Sequence, residues 1–202
     1  MQLRRLSRTF FAHDTHTVAR ELLGKLLVRP WRGKKLVGRI TDVESYVGEN
    51  DLACHASRGR TPRTEIMFGE AGHAYVYLIY GMYDCLNLVT ERKDFPAAVL
   101  IRSLEPVVGI AVMHRLRGTS DIHHLTTGPG KLTQALAITR RLNGEDLTIS
   151  RQLFVAADGY RVPNSSIATS ARIGVDYAGE HAALPWRYFI RGSGFVSGNR
   201  NP

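Results

Sequence analysis

Ala74-Tyr75-Val76-Tyr77-Leu78-Ile79-Tyr80-Gly81-Met82-Tyr83-Asp84-Cys85-Leu86-Asn87-Leu88-Val89 is the stretch that decides the fold class. Two runs rich in β-branched and aromatic residues flank Gly81-Met82, the pattern of an antiparallel hairpin. Upstream, Lys25 to Arg29 reads as a strand, Pro30 to Lys34 as a turn, and Leu36 to Tyr46 as a longer strand. Strict alternation along the latter places Leu36, Ile40, Asp42, Glu44 and Tyr46 on one face, a core giving way to a polar end. Residues 47–73 carry few apolar periods and read as a long loop, a kind of segment that is usually functional or disordered. Downstream, Ala97 to Ser103 is a strand, Glu105-Pro106 opens a helix through about Leu116, and Gly128-Pro129 starts another to about Arg141. Asp14 and Thr15 offer N-cap chemistry for a short helix ending at Gly24. The last fifty residues hold three or four strands, around Leu153, Ile173 and Tyr188. This mix is α+β with antiparallel sheet and no run of βαβ units.

Composition excludes several classes. The longest apolar run, Ala74 to Tyr80, is strand-length, far short of the roughly 18 residues of a membrane span. Basic residues near the N-terminus are followed by no continuous apolar core, so no secretory signal is expected. Two cysteines, Cys54 and Cys85, argue against a disulfide framework or a thiolate zinc site and fit a reducing cytoplasm. The 202 residues suit one domain, 1–202, with a formal net charge of +9 that biases the partner search toward polyanions. Ten basic groups against two acids occupy residues 1–40; residues 41–56 then carry Asp42, Glu44, Glu49 and Asp51 with no Lys or Arg.

Gly128-Pro129-Gly130-Lys131-Leu132 is not a phosphate loop, since Leu125 and Leu132 replace the required glycine and hydroxyl residue. No histidine pair has tight ligand spacing. Five of eight tyrosines, Tyr46, Tyr75, Tyr77, Tyr80 and Tyr83, fall within thirty-eight residues. Strand filler explains most of them, but Tyr80 adjoins the turn glycine, where a large ring stands exposed.

Asp42-Val43-Glu44-Ser45-Tyr46-Val47-Gly48, Cys54-His55-Ala56, Thr61-Pro62-Arg63, the hairpin, Cys85-Leu86-Asn87, Leu100-Ile101-Arg102, Gly128 to Leu132 and Ala171-Arg172-Ile173-Gly174 occur in that order. Together they resemble the alkyladenine DNA glycosylase family, from about residue 8 to 197. The resemblance implies a single compact α+β domain around a curved, mainly antiparallel sheet with flanking helices and a DNA-inserting hairpin. It implies a base-excision repair enzyme that flips alkylated or deaminated purines from duplex DNA and hydrolyses the N-glycosidic bond. Glu44 then matches the general base and Arg102 the arginine that holds the nucleophilic water and adjoining phosphate. Ile173 matches a residue whose carbonyl touches that water, while Tyr46, His55 and Tyr77 sandwich the base. Asn87 crowds the 2-amino group of guanine, Tyr80 fills the vacated stack, and Met82, Tyr83 and Lys131 contact DNA. The expected partner is double-stranded DNA bound by a monomer, with no cofactor, no metal and no membrane, and the cytoplasm or nucleoid as location. A non-catalytic basic nucleic-acid-binding module is the alternative.

The chemistry agrees with these assignments. A carboxylate is needed to take a proton from water as the sugar becomes cationic. The absence of lysine from residues 41–92 argues against a Schiff-base nucleophile and for a monofunctional glycosylase. Hairpin parity gives a sharper expectation. A two-residue Gly81-Met82 loop puts Tyr77 and Asn87 on opposite faces, whereas a three-residue loop, 80–82, or a bulge, puts both in one pocket. The three-residue loop is expected. Asp84 replaces an aromatic of vertebrate relatives, and two extra residues lie between Asn87 and Arg102, so hairpin contacts and lesion range are open to change.

Overall fold

A computed structural model describes residues 3–198; the first two residues of the basic N-terminus and the last four of the expected domain lie outside the described part. The elements in chain order are β1 (Arg4–Arg5), α1 (Arg8–Phe11), α2 (Thr15–Leu22), β2 (Leu26–Trp31), β3 (Lys34–Val47), β4 (Ala74–Ile79), β5 (Tyr83–Val89), β6 (Ala97–Val108), α3 (Ile110–Arg117), α4 (Pro129–Ala135), β7 (Phe154–Ala157), β8 (Ile167–Ser170) and β9 (Arg187–Ile190). The nine strands of the described residues join one sheet, ordered β1-β7-β2-β3-β6-β5-β4, with β9 also against β3 and β8 against β9. Every pairing is antiparallel. The α+β class is therefore as expected.

Alternation divides the sheet between two cores. Ala74, Val76, Leu86, Leu88, Val99 and Ile101 face the helices, where they join Val18, Leu22, Met113 and Leu132 in the main core. Tyr75, Val89 and Ala98 face the other way and meet Cys54, Ala56, Met67 and Phe68 from the long 48–73 segment. That segment carries two short 3-10 turns, His55–Arg58 and Glu65–Phe68, and it roofs the second face of the sheet.

Alternation fails at one place. Leu36, Ile40 and Val43 all belong to the main core, so the apolar face changes parity between Ile40 and Val43. Ile40 pairs with Leu104, Asp42 with Ser103 and Val43 with Ile101, so Thr41 on β3 and Arg102 on β6 are each left without a partner. A bulge of this kind re-aims the residues that follow it. Asp42, Glu44 and Tyr46 thus share a face with each other but not with Leu36 and Ile40, contrary to the single face expected from the sequence.

Other boundaries also moved. Pro106 lies inside β6, paired with Gly38, beside a second irregularity that skips Val107. A proline lacks the N–H a ladder needs and is accommodated where the ladder is broken. The expected helix from Glu105 starts instead at Ile110, after Gly109 at φ 83°. The helix expected to reach Arg141 ends at Ala135, because Ala137 takes a left-handed conformation at φ 50°. Ile173 lies in a bend between β8 and β9 rather than in a strand. Pro30 continues β2, and the turn is the two-residue Arg32-Gly33, both at positive φ as such a hairpin requires. Asp14 caps α2 through Thr17 N, as the sequence suggested.

The hairpin has the geometry that parity demanded. Ile79 pairs with Tyr83 and Tyr75 with Asn87, so the loop is Tyr80-Gly81-Met82. Tyr77 and Asn87 then lie on one face. Tyr80 itself is at φ 53°, an unfavourable region for a side chain of its size, with Gly81 following at φ 69°.

Candidate active site

A cavity of about 730 Å³ opens between the hairpin, the 48–73 segment, the N-terminus of α4 and the bend at Ile173. Its lining includes Tyr46, His55, Tyr77, Asn87, Arg102 and Ile173, with Tyr80, Tyr83 and Lys131 on the hairpin and α4 sides. Ten of the eleven residues singled out from sequence therefore converge here or directly behind it. Met82 is the exception, exposed at the tip outside the lining.

Glu44 is fully buried and lies behind the cavity wall rather than in its lining. Three wall residues reach it. Tyr46 Oη donates to its Oε2 at 2.9 Å, Ile173 N donates to its Oε1 at 2.7 Å, and Arg102 Nη1 lies 3.1 Å from Oε2. The Ile173 group in contact is the backbone N–H. Burial and the neighbouring carboxylate push the Tyr46 phenol well above its usual range, so it stays a neutral donor. Arg102 is a bulge residue, and its own carbonyl accepts from Gly128 N at 3.0 Å, tying it to the start of α4. Although burial opposes its charge, the adjacent Glu44 and Asp42 raise the Arg102 pKa, and the guanidinium stays charged.

The aromatic wall is a connected set. His55 meets Tyr77 edge-on with ring centroids 4.6 Å apart, and Tyr75 lies 5.1 Å from Tyr77. His55 Nδ1 and Tyr75 Oη share a hydrogen bond of 2.8 Å. Burial first, then Arg63 and Arg58, lower the His55 pKa to about 4, so its ring is neutral near pH 7. Asn87 is buried and its Nδ2 lies 3.4 Å from Tyr75 O. Tyr75 was visible in the tyrosine cluster, but its contact with His55 was not, because it depends on how the 48–73 segment folds back. Cys85 is also in the wall, and burial pushes its thiol up to about 11, leaving it protonated.

Sequence reading missed the supports of this wall. Arg172 is bidentate to Asp51 at 2.6 and 2.8 Å, donates to Ser45 O at 2.9 Å, and lies 4.9 Å from the Tyr46 and Trp186 rings. This buried cluster fixes the residue next to Ile173 and the strand next to Glu44. Tyr177, 68% exposed, stands at the cavity mouth. Asp84, by contrast, turns away from the tip. Arg140 Nε is 3.2 Å from its carboxylate, and Thr133 Oγ donates to its carbonyl at 2.7 Å. Gly130 allows α4 this close: a Cβ there would sit 2.8 Å from Tyr83 Cβ.

Among the described residues no helix is long and apolar enough to cross a membrane, and no group of three or more His, Cys, Asp or Glu is placed to hold a metal ion.

The methylpurine-DNA glycosylase family model matches residues 9–194. A protein of Methanocella arvoryzae, named as a candidate 3-methyladenine DNA glycosylase, is 53% identical over 95% of both chains. Proteins of the same name from Myxococcus xanthus and Alkaliphilus oremlandii are 48% and 46% identical; the matches cover 98% and 96% of this chain, and 98% of each relative. With a match spanning nearly its whole length, the chain belongs to the methylpurine-DNA glycosylase family, enzymes that hydrolyse N-glycosyl bonds in DNA.

Proposed function

We propose that this chain removes alkylated or deaminated purines, of the 3-methyladenine, 7-methylguanine, hypoxanthine and ethenoadenine class, from duplex DNA by flipping the nucleotide and hydrolysing its glycosidic bond with a water activated by Glu44. The observation that carries this reading is a fully buried carboxylate held by Tyr46, Ile173 and Arg102 directly behind an aromatic cavity. In the reaction the water oxygen bonds to C1′ and the C1′–N bond breaks. The bonding pair leaves with the purine, and the water proton goes to Glu44. The Glu44 carboxylate and the nearby Arg102 are fixed in advance, which is where electrostatic stabilisation of a developing sugar cation is most effective.

His55 and Tyr77 touch, so no ring fits between them; together they form one side of a slot and Tyr46 the other. Electron-poor alkylated purines stack well on such rings, and cationic ones gain further from the π faces. Asn87, held against the Tyr75 carbonyl, excludes the 2-amino group of guanine. Flipping costs a few kcal/mol, least for damaged or mispaired bases. The Tyr80 ring, 77% exposed, offsets part of that cost by entering the stack. Met82, Tyr83 and Lys131 lie beside it as DNA contacts, on a domain of residues 1–202 acting as a monomer without cofactor.

Glu44→Gln tests the reading. Single-turnover release of hypoxanthine or 3-methyladenine should fall by about 10³-fold or more while duplex binding persists. Base release at the wild-type rate would remove Glu44 from its role. Equal inactivity of the wild type on a panel of lesion duplexes would favour a DNA-binding module instead.

A further inference from the structure

Asp42 stands two residues before Glu44 on the same face and is also fully buried. Its Oδ1 accepts from Arg187 Nε at 3.0 Å. Its Oδ2 accepts from Arg187 Nη2 at 2.9 Å, from Ser197 N at 3.1 Å and from Ser197 Oγ at 2.6 Å. Arg187 comes from β9, where it pairs with Glu44 across the sheet, and its Nη2 also reaches Ser197 O at 2.5 Å. Ser197 follows β9 and is buried. A hydroxyl has a single proton, and here it goes to the carboxylate; the oxygen is then left to accept from Arg102 Nε at 3.1 Å.

A guanidinium is planar, so holding Nε and one Nη fixes the direction of the remaining nitrogen. Arg102 is held at Nε by Ser197 and at Nη1 by Glu44, and its Nη2 makes no hydrogen bond among the described residues. Asp42 cannot hold Arg102 directly, because the Nε to Oδ2 distance is 3.9 Å, beyond hydrogen-bond range. Among the described residues the Ser197 hydroxyl is the only side chain hydrogen-bonded to both Asp42 and Arg102.

We propose that Ser197 is a positioning residue for base excision: with its hydroxyl oriented by the Asp42–Arg187 pair, it locks the Arg102 guanidinium in the plane that meets Glu44 and leaves its free N–H edge for an oxygen of the reacting nucleotide or water. The proposal rests on the glycosylase reading above. It assigns a function to a residue 153 positions from Glu44 in the chain, contributed by an irregular segment after the last strand.

The test is a double-mutant cycle on single-turnover excision from a duplex carrying one hypoxanthine, with duplex affinity and thermal melting measured alongside. Ser197→Ala should slow excision about 10- to 100-fold, the usual consequence of a loosened catalytic group, with duplex affinity unchanged. Ser197→Thr, which keeps the hydroxyl, should restore the rate to within about threefold. In an Arg102→Ala background, Ser197→Ala should cost nothing more, because the two residues act as one unit. Wild-type rates for Ser197→Ala overturn the proposal, as does the same fold-loss in both backgrounds, which is what a general structural role produces. If Ser197→Ala melts early, Ser197→Cys, nearly the same size but a weaker hydrogen-bonding group, takes its place in the cycle with the same two criteria. Active Glu44→Gln would overturn the role of Glu44, and a wild type inactive on every lesion duplex the glycosylase reading itself; inactive Glu44→Gln with additive Ser197 and Arg102 effects would overturn only the positioning role.

Discussion

The bulged middle of β3 and β6 and the tip of the β4–β5 hairpin hold their key side chains in opposite ways. Around the bulge, Asp42, Glu44, Arg102 and Arg187 are all buried, two carboxylates against two guanidiniums, with each carboxylate oxygen hydrogen-bonded or ion-paired. At the tip, Tyr80 and Met82 are 77% and 69% exposed. The first arrangement is rigid because moving any member strands a buried charge; the second is free because nothing packs on it. A group that must aim at one atom is placed in the former kind of surroundings, and a group that must enter another molecule in the latter.

The largest expected effect breaks the first region. Asp42→Asn removes the charge that compensates Arg187, and an uncompensated buried cation costs about 3–5 kcal/mol. Thermal melting should fall by on the order of 10 °C in a chain of this size. A melting point unchanged within a degree would show that the cluster does not contribute to stability as described.

A smaller effect lies in the aromatic wall, between the two regions. His55 resists protonation down to about pH 4, while the unfolded chain takes up that proton near pH 6.5. Between these values the unfolded state binds more protons, so stability falls as pH drops through the interval and is fully retained above it. Between pH 7.5 and pH 4.5 the wild type should lose about 2–3 kcal/mol more than His55→Gln, measured by denaturant unfolding. Parallel pH curves for the two proteins would contradict a buried neutral imidazole.

The smallest expected effect belongs to the tip. Tyr80→Ala should leave stability within about 0.5 kcal/mol of the wild type. It should weaken binding to a lesion duplex roughly tenfold, the value of one base–aromatic stack, with less loss on undamaged DNA. An equal loss on both duplexes would indicate a contact with the backbone rather than with the stack.

Much of the tip and wall was legible in sequence because short-range rules govern them. Two β-rich runs around Gly81 announce a hairpin, and the requirement that Tyr77 and Asn87 share a pocket selects the three-residue loop found at Tyr80-Gly81-Met82. The bulged region was not legible in the same way. Thr41 and Arg102 look like ordinary members of alternating strands, and only the pairing of β3 with β6 leaves both unmatched. Asp42 was visible as part of an acidic interval, but its partners Arg187 and Ser197 lie 145 and 155 positions away and carry no local pattern. Glu105-Pro106 misled for a related reason: Glu-Pro is a good helix start, and only the skipped Val107 makes Pro106 tolerable inside β6.

The bulge also decides where this chain can change in length. Adding a residue at Arg32-Gly33 only enlarges an open turn, since a Cβ on Gly33 meets nothing within 4 Å. Adding a residue between Thr41 and Asp42, beyond the one the bulge already absorbs, would instead turn Asp42 and Glu44 toward the helices, with Val43 rotated out toward the cavity. Single-residue insertions are therefore cheap at one end of β3 and ruinous in its middle, although the two sites are only eight residues apart.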